Sequence, residues 1–125
     1  MNDNYLSGEI IKYAMKVHTA LGPGLLESVY QSCLFYELTK AGFQVKKEEP
    51  LPLIYEEMRL ECAYRIDLFV ENQIIVEIKS LENIMPVHQK QLLTYLRLSK
   101  RKIGLLINFN VEHLKDGIKR VINSQ

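Results

Sequence analysis

The sequence predicts an α/β fold of the mixed α+β type, in which a mixed central β-sheet is flanked by helices. Two helical patterns open the chain, extended segments fill its middle, and a third helical pattern precedes the last strand. Residues 103–107 form an apolar run without polar alternation, which is typical of a strand buried on both faces. Helices at both ends of a strand cluster therefore predict a sheet with helices packed against it.

The composition fits one globular domain, and we expect residues 1–125 to form it. The chain has 125 residues, 47% of them hydrophobic, and a net charge of +1. The length gives room for one domain with its own core, and the balanced charge excludes a uniformly basic nucleic-acid-binding arm. No apolar run approaches the roughly 18 residues of a membrane span, and no signal peptide is recognisable at the start. Two cysteines without metal-site spacing fit a reduced, cytoplasmic protein.

The first two elements are predicted to be helices. Ile10, Ala14 and Val17 recur at helical spacing and predict a helix over residues 7–21, which the Gly22-Pro23-Gly24 segment ends. Apolar positions continue at helical spacing over residues 25–41, and Gly42 closes this second helix.

The middle of the chain is predicted to be extended, with a polar turn at residues 56–59. The predicted strands there are residues 43–48, 51–55, 60–64, 65–70 and 74–79. Pro86 suits the first position of a helix, which we expect to run to residue 99. Residues 102–109 form the last predicted strand, and the tail from residue 111 fits either a short helix or irregular chain.

The hairpin around residues 71–73 has a register that the core determines. With a three-residue loop, the pairs on one face are all apolar: Val70–Ile74, Leu68–Val76 and Ile66–Ile78. The other face then pairs Phe69 with Ile75, Asp67 with Glu77, and Arg65 with Lys79. A two-residue loop would mix polar and apolar side chains on both faces, so the three-residue loop is favoured. Asn72 tolerates the left-handed conformation that such a loop needs.

This register brings the carboxylates of Asp67 and Glu77 onto one face, with Cβ atoms about 5 Å apart. Two like charges so close are unfavourable unless they are compensated. A divalent cation does so, because carboxylate oxygens are preferred ligands of Mg²⁺. Lys79 lies on the same face, where it can neutralise part of the charge or stabilise an anion at an attacked phosphate. An ordinary solvated face of mixed charge is the alternative that this short pattern leaves open.

Two helices add polar side chains at helical spacing. Glu27 and Tyr30 share one face of the second helix, although the helix dipole alone favours an acid in a first turn. His88, Gln91 and Tyr95 form a polar stripe on the third helix, for which a partly exposed helix face is the alternative explanation.

Four motifs, in this order and spacing, resemble the GxxExxY protein family of the PD-(D/E)XK nuclease superfamily. They are Gly24-x-x-Glu27-x-x-Tyr30, Asp67 followed by Glu77-Ile78-Lys79, His88-x-x-Gln91-Leu92-x-x-Tyr95-Leu96-Arg97, and the strand Gly104-Leu105-Leu106-Ile107-Asn108-Phe109. The similarity extends from about residue 17 to residue 121 and implies the restriction-endonuclease-like fold. One departure is Ile66, which stands where some members of the superfamily have proline before the Asp.

The resemblance implies a role for each acidic or polar residue of the motifs. Asp67 and Glu77 would ligate Mg²⁺ or Mn²⁺, and Glu27 would add a further acidic ligand, directly or through water. Lys79 would orient the attacking water and stabilise the charge on phosphorus, and Gln91 would position water or phosphate. The metal would help to generate the nucleophile and would polarise the phosphate.

Candidate substrate contacts come from the same motifs and from an uneven charge distribution. Tyr30 and Tyr95 would support the site or contact substrate, and His88 is a further candidate contact. Residues 1–89 carry a formal charge of −5, whereas residues 90–125 carry +6. The positive part includes the cluster Arg97, Lys100, Arg101 and Lys102. This cluster is interpreted as a phosphate-binding rim next to the acidic metal site, with a solvated basic surface as the alternative.

The function predicted from these residues is a metal-dependent nuclease that hydrolyses phosphodiester bonds in nucleic acid, DNA in preference to RNA. A catalytically inactive module that binds nucleic acid or protein on the same fold is the alternative, because fold does not imply activity. A homodimer would help a small nuclease to grip a duplex, although no sequence feature identifies an interface. No membrane partner is expected.

Overall fold

The computed structural model describes residues 1–124 and contains three α-helices and five strands over that range. The helices are α1 (Asp3–Leu21), α2 (Glu27–Lys40) and α3 (Pro86–Ser99), and a short 3-10 helix covers Leu114–Gly117. The strands are β1 (Val45–Tyr55), β2 (Met58–Val70), β3 (Ile74–Lys79), β4 (Ile103–Asn108) and β5 (Ile118–Ile122). No helix in the described range is long and apolar enough to cross a membrane.

The strands form one mixed sheet in the order β1-β2-β3-β4-β5. Neighbouring strands are antiparallel except for β3 and β4, which run parallel and pair from Ile74 with Ile103 to Lys79 with Asn108. Parallel neighbours need a crossover connection, and α3 provides it. The predicted mixed sheet flanked by helices is therefore confirmed.

The core lies on both faces of the sheet. On one face, residues of α1 and α2 such as Ile10 and Leu34 pack against Leu68, Val76 and Leu105. On the other face, Leu92, Tyr95 and Leu96 of α3 pack against Phe69, Ile75 and Leu106. The whole of β4 is buried, as predicted from its unbroken apolar run.

Several element boundaries differ from the predicted ones. The first helix begins at Asp3 because the Asn2 side chain caps it, its Oδ1 accepting a hydrogen bond from the Tyr5 N–H at 3.0 Å. The predicted strands at residues 43–70 merge into the long hairpin of β1 and β2, which turns at Glu56 and Glu57. Prolines at positions 50 and 52 are tolerated because β1 is an edge strand.

The tail contains a short helix, as one of the two predicted alternatives had it, in the form of a 3-10 turn, but it continues into the unpredicted strand β5 at the edge of the sheet. The chain can come back to pair with β4 because residue 117 is a glycine. A Cβ at that position would lie 2.2 Å from the backbone oxygen of Asn108. A partly exposed strand of five residues has too weak a hydrophobic pattern to be recognised from sequence.

The predicted hairpin register is confirmed near its loop and fails beyond it. Val70 pairs with Ile74, Phe69 with Ile75, and Leu68 with Val76, and Asn72 has the expected left-handed backbone, with φ 51°. In the described sheet, the backbone pairing of β2 with β3 ends at Leu68 and Val76. The predicted pairs Ile66–Ile78, Asp67–Glu77 and Arg65–Lys79 are therefore absent from the ladder, and Ile66 packs in the α3-side cluster instead.

Candidate active site

Asp67 and Glu77 stand where β2 and β3 part, just beyond the Leu68–Val76 pair; we call this point the fork. The backbone N–H of Asp67 donates to Oε2 of Glu77 at 2.9 Å, and the N–H of Ile78 donates to Oδ2 of Asp67 at 2.8 Å. Each carboxylate thus bonds a backbone amide of the opposite strand in place of the missing ladder bonds. The fork holds both side chains rigidly at the interior of the sheet.

Burial dominates the electrostatics of this carboxylate pair. Glu77 is only 4% exposed, and desolvation, reinforced by the negative charge of Asp67, raises the pKa of Glu77 to about 8. Desolvation also raises the pKa of Asp67, although the hydrogen bond from Ile78 and the charge of Lys79 oppose the shift. The positive charge around the two acids is therefore too small to offset the free-energy cost of ionising both of them.

Lys79 and Glu27 are two charged residues that act on both carboxyls of this pair. Lys79 ends β3, and its positive charge lowers the pKa of both carboxyls, yet it makes no ion pair within 4.0 Å with any residue of the described range. Glu27 raises both pKa values through its negative charge. One of its oxygens accepts a hydrogen bond from the Ser80 N–H at 3.2 Å, which ties the start of α2 to the end of β3.

The donor set at the fork fits a divalent cation held by two protein carboxylates. One oxygen of Asp67 and one of Glu77 accept no hydrogen bond from residues 1–124, and a cation would offset the charge that burial penalises. Mg²⁺ is commonly bound in this way, by one or two carboxylates with water and substrate phosphate completing its coordination. Within residues 1–124, no three His, Cys, Asp or Glu residues stand close enough to hold a metal together. Glu27 therefore fits the water-mediated role rather than direct ligation.

The Gly22–Leu25 loop positions Glu27, and Tyr30 holds this loop. The Tyr30 hydroxyl donates to the Gly22 oxygen at 2.5 Å and accepts from the Leu25 N–H at 3.1 Å, while its ring stacks on Phe109 with centroids 4.5 Å apart. Tyr30 is fully buried, and its hydroxyl bonds only the backbone of this loop among the described residues. Of the two roles predicted for it, support of the site is the one that this geometry fits.

The α3 stripe faces the fork through Tyr95. Burial raises the pKa of Tyr95 to about 12, and the charges of Glu77 and Asp67 contribute to the shift, so the phenol lies beside the carboxylates. Nδ1 of His88 accepts a hydrogen bond from the Met85 N–H at 2.9 Å and thereby caps α3. Gln91 is half-buried one turn before Tyr95, and its amide makes no hydrogen bond with the described residues.

Two residues of this region were missed by the sequence analysis, and Glu48 is the first. It lies on β1 between the pairs Lys47–Leu68 and Glu49–Ile66, at the level of Asp67, with a left-handed backbone (φ 57°). The buried amide of Gln31 donates to its Oε1 at 3.0 Å, and its charge raises the pKa of Asp67. Nothing in the charged run of residues 46–49 distinguishes it in the sequence.

Asn108 is the second missed residue. It is 2% exposed at the end of β4, where its Nδ2 donates to the Leu81 oxygen at 2.9 Å and its Oδ1 accepts from the Leu81 N–H at 3.0 Å. These bonds hold the chain that leaves β3 just after Lys79. A buried amide at the end of an otherwise apolar strand is the sequence signal that could have identified it.

The basic cluster does not lie beside the carboxylates as predicted. Because β3 and β4 are parallel, α3 returns the chain to the start of the neighbouring strand, where Ile103 pairs with Ile74. Glu77 pairs with Leu106, which is three residues after Ile103. The start of β4, where the cluster lies, is therefore about 10 Å from the fork, measured along the strands. Arg97, Lys100, Arg101 and Lys102 line a concavity there, with Asn123 and Ser124.

A sheet covered on both faces, with an Asp and a Glu-x-Lys at the parting of two of its strands, is the framework of a nuclease fold. The family model of the PD-(D/E)XK nuclease superfamily matches residues 4–121, and the chain belongs to this superfamily. Comparison with curated proteins found no match, and comparison with solved structures found none either.

Proposed function

We propose that the protein is a metal-dependent nuclease that hydrolyses phosphodiester bonds in nucleic acid, DNA in preference to RNA. The observation that carries this proposal is the carboxylate pair at the fork, formed by the buried Glu77 and the half-buried Asp67, with Lys79 at the end of the strand of Glu77. Membership of the nuclease superfamily supports it. Within the superfamily we assign the chain to the GxxExxY family, as one domain of residues 1–125. Two free cysteines agree with a cytoplasmic location.

The site residues take distinct roles in this proposal. Asp67 and Glu77 hold Mg²⁺ or Mn²⁺, which supplies Lewis acidity at the phosphate and lowers the pKa of bound water. The ammonium of Lys79, which has no paired acid within 4.0 Å in the described chain, is available to orient the attacking water and to stabilise negative charge on the phosphate. Glu27 would contact the metal through a water molecule rather than directly.

Residues of α3 are assigned to substrate contact beside the fork. The amide of Gln91 has both donors and its acceptor available to position water or a phosphate oxygen. His88 uses Nδ1 in the helix cap, which leaves its Nε2 for a phosphate contact. The Tyr95 phenol stays protonated at neutral pH, because its pKa is raised, and can donate a hydrogen bond at the fork.

A catalytically inactive module that binds nucleic acid or protein is the second candidate. The observation that favours it is the engagement of both carboxylates with backbone amides, which gives each acid a structural function without a metal. Metal binding separates the two candidates, since only the nuclease requires Mg²⁺ or Mn²⁺ to bind in a manner that depends on Asp67 and Glu77.

The test is a cleavage assay with plasmid, linear, single-stranded and branched DNA and with RNA, in Mg²⁺ and in Mn²⁺. Glu77→Gln and Lys79→Met should each reduce cleavage by at least 100-fold. Glu57→Gln, at the turn of the β1–β2 hairpin, and Lys12→Met, on the exposed side of α1, are matched controls and should retain activity. Calorimetric titration with Mn²⁺ should show binding that Glu77→Gln abolishes.

Two outcomes contradict the nuclease proposal. One is the absence of cleavage on every substrate with both metals, and the other is cleavage that neither substitution changes. A homodimer is part of the proposal, because two copies of a small domain contact more of a duplex than one copy does. Sedimentation of the protein with and without DNA tests it, and a monomer under both conditions would refute it.

A further inference from the structure

A basic concavity lies at the corner between the end of α3 and the start of β4; we call it the basic groove. It has a volume of about 580 Å³ and is lined by Arg97, Lys100, Arg101, Lys102, Asn123 and Ser124. All six residues are polar or charged, and the groove contains four cationic side chains. It is separate from the fork, which lies about 10 Å further along β3 and β4.

The four cations of the basic groove have no acidic partner. None of them makes an ion pair within 4.0 Å with a residue of the described chain, although other lysines and arginines do so elsewhere, as in Lys16 with Glu37. The helix dipole favours positive charge at the end of α3, but its effect is limited to the last turn and accounts for Arg97 and Lys100 only. The positive charges of these four residues are therefore available to an anionic ligand.

The backbone of the groove is fixed in place. The Arg101 N–H donates to the Leu96 oxygen at 2.9 Å, which anchors it to α3. Asn123 follows directly after β5; its N–H donates to the Lys102 oxygen at 2.8 Å, and its side chain donates to the Arg101 oxygen at 3.1 Å. The Arg101 guanidinium lies over the Phe69 ring, 5.9 Å from its centroid. The cations are thus presented from a rigid corner, which reduces the entropy lost on binding.

Lys100 adds an observation of a different kind. It is the C-cap residue of α3 and has a left-handed backbone, with φ 58°. Glycine is the residue that adopts this conformation without steric cost, whereas a lysine there is strained by about 1 kcal/mol. A charged side chain thus stands at a position where glycine would be more stable, and it adds a fourth cation to the groove.

We propose that the basic groove is a second nucleic-acid contact, which binds backbone phosphates away from the fork. Arg and Lys side chains are the usual phosphate ligands, and contacts of this type position a strand without reading its sequence. The lining carries no apolar side chain that would insert into a membrane or anchor a protein interface. The separation of about 10 Å corresponds to roughly three base steps of duplex, so only substrates longer than this can touch both places.

This inference rests on the proposed function for its substrate class but not for its test. Fluorescence anisotropy with a labelled 20-base-pair duplex, in EDTA so that no cleavage occurs, should show binding that Arg101→Ala and Lys102→Ala each weaken 3- to 10-fold. Each variant should also reduce the dependence of log K on log salt by about one unit. Lys12→Ala on α1 is the charge-matched control and should change affinity by less than twofold.

Further arms identify the ligand class and exclude misfolding. Arg101→Lys should retain most of the affinity, and circular dichroism should show unchanged folding for every variant. A trinucleotide should bind at least tenfold more weakly than the duplex, and Arg101→Ala should weaken that binding further. The inference is overturned if the groove variants bind like the wild type, if Lys12→Ala weakens binding equally, or if polyglutamate or anionic vesicles bind the groove more tightly than DNA.

The two proposals can fail separately. If the groove variants lose DNA binding and the wild-type protein cleaves nothing, the groove proposal stands and the nuclease proposal is refuted. Cleavage that depends on Glu77, in a protein whose groove variants bind DNA normally, would refute the groove alone.

Discussion

Oε2 of Glu77 accepts a hydrogen bond from the backbone N–H of Asp67, while Oδ2 of Asp67 accepts one from Ile78, the residue that follows Glu77. The two candidate metal ligands are therefore also the groups that bridge β2 and β3 where the backbone pairing has ended. Substitution at either position changes both the charge of the site and the connection between two strands. The predictions below separate these two effects.

We predict that the metal-free protein loses stability as the pH rises from about 5 to 8. The pKa of Glu77 is raised from 4.5 to about 8, so across this range the folded state binds more protons than the unfolded state. The stability that the neutral Glu77 carboxyl contributes is thus present at low pH and is lost when this carboxyl ionises. In EDTA, Tm should fall by several degrees, since 1 kcal/mol corresponds to roughly 2–6 °C for a domain of this size.

Glu77→Gln should remove most of this fall and raise Tm at pH 8 above that of the wild type, because the amide stays neutral. Mg²⁺ should raise the Tm of the wild type at pH 8 and leave that of the variant unchanged. The control is Glu57→Gln at the exposed hairpin turn. A wild-type Tm that is constant from pH 5 to 8, or a fall that persists in Glu77→Gln, would contradict the assigned electrostatics.

We predict that Glu48 contributes to cation affinity although it is not a ligand. Its carboxylate is held by Gln31 at the level of Asp67, and Glu48→Gln removes the charge while the new amide oxygen can still accept the Gln31 hydrogen bond. The affinity for Mn²⁺ should fall about 3- to 10-fold by calorimetry, as expected for loss of one nearby charge. The control is Glu49→Gln at the adjacent residue. Equal losses of Mn²⁺ affinity in the two variants would show that the affinity depends only on the net charge of the protein.

We predict that Tyr30→Phe lowers both stability and catalytic rate. The change leaves the Gly22 oxygen and the Leu25 N–H without their partner, at a cost of about 1–3 kcal/mol. Because the Leu25 oxygen in turn accepts the Ser80 hydroxyl beside Glu27, kcat should fall while DNA affinity in EDTA stays constant. Tyr36→Phe, exposed on the same helix, should change neither quantity. A variant with normal kcat at a lowered Tm would limit Tyr30 to a stability role.

We predict that Lys100→Gly and Lys100→Ala weaken DNA binding to the same extent but differ in stability. Both remove the charge, whereas only glycine relieves the left-handed strain, so the glycine variant should be more stable than the alanine variant by about 1 kcal/mol. Urea unfolding and anisotropy measure the two properties on the same samples. Equal stability of the two variants would show that the backbone at this position is not strained.

The layers of the fold could be predicted from sequence because hydrophobic periodicity is a local property. The spacing of Ile10, Ala14 and Val17 and the apolar run of residues 103–107 each identify an element without reference to its neighbours. The hairpin register near residues 71–73 was predictable for the same reason, since a core face must remain apolar. The end of the β2–β3 pairing was not, because it depends on which elements pack around the strand ends.

The site was only partly predictable from the motifs. Alternation along two strands predicted that Asp67, Glu77 and Lys79 share one face, but through a pairing that the structure does not form. Glu48 lies in a run of charges and reaches the site through a left-handed backbone, which alternation cannot reveal. The displacement of the basic cluster follows from the parallel pairing of β3 with β4, a long-range property that the local pattern of residues 97–102 does not contain.

The fork also makes two amides into reporters of the site. The N–H groups of Asp67 and Ile78 belong to strands β2 and β3, yet they donate to carboxylates rather than to main-chain oxygens. Their hydrogen–deuterium exchange should therefore depend on the protonation and occupancy of these side chains, while the amides of the Leu68–Val76 pair exchange slowly throughout. Cation binding could be followed at single residues in this way, without any substrate.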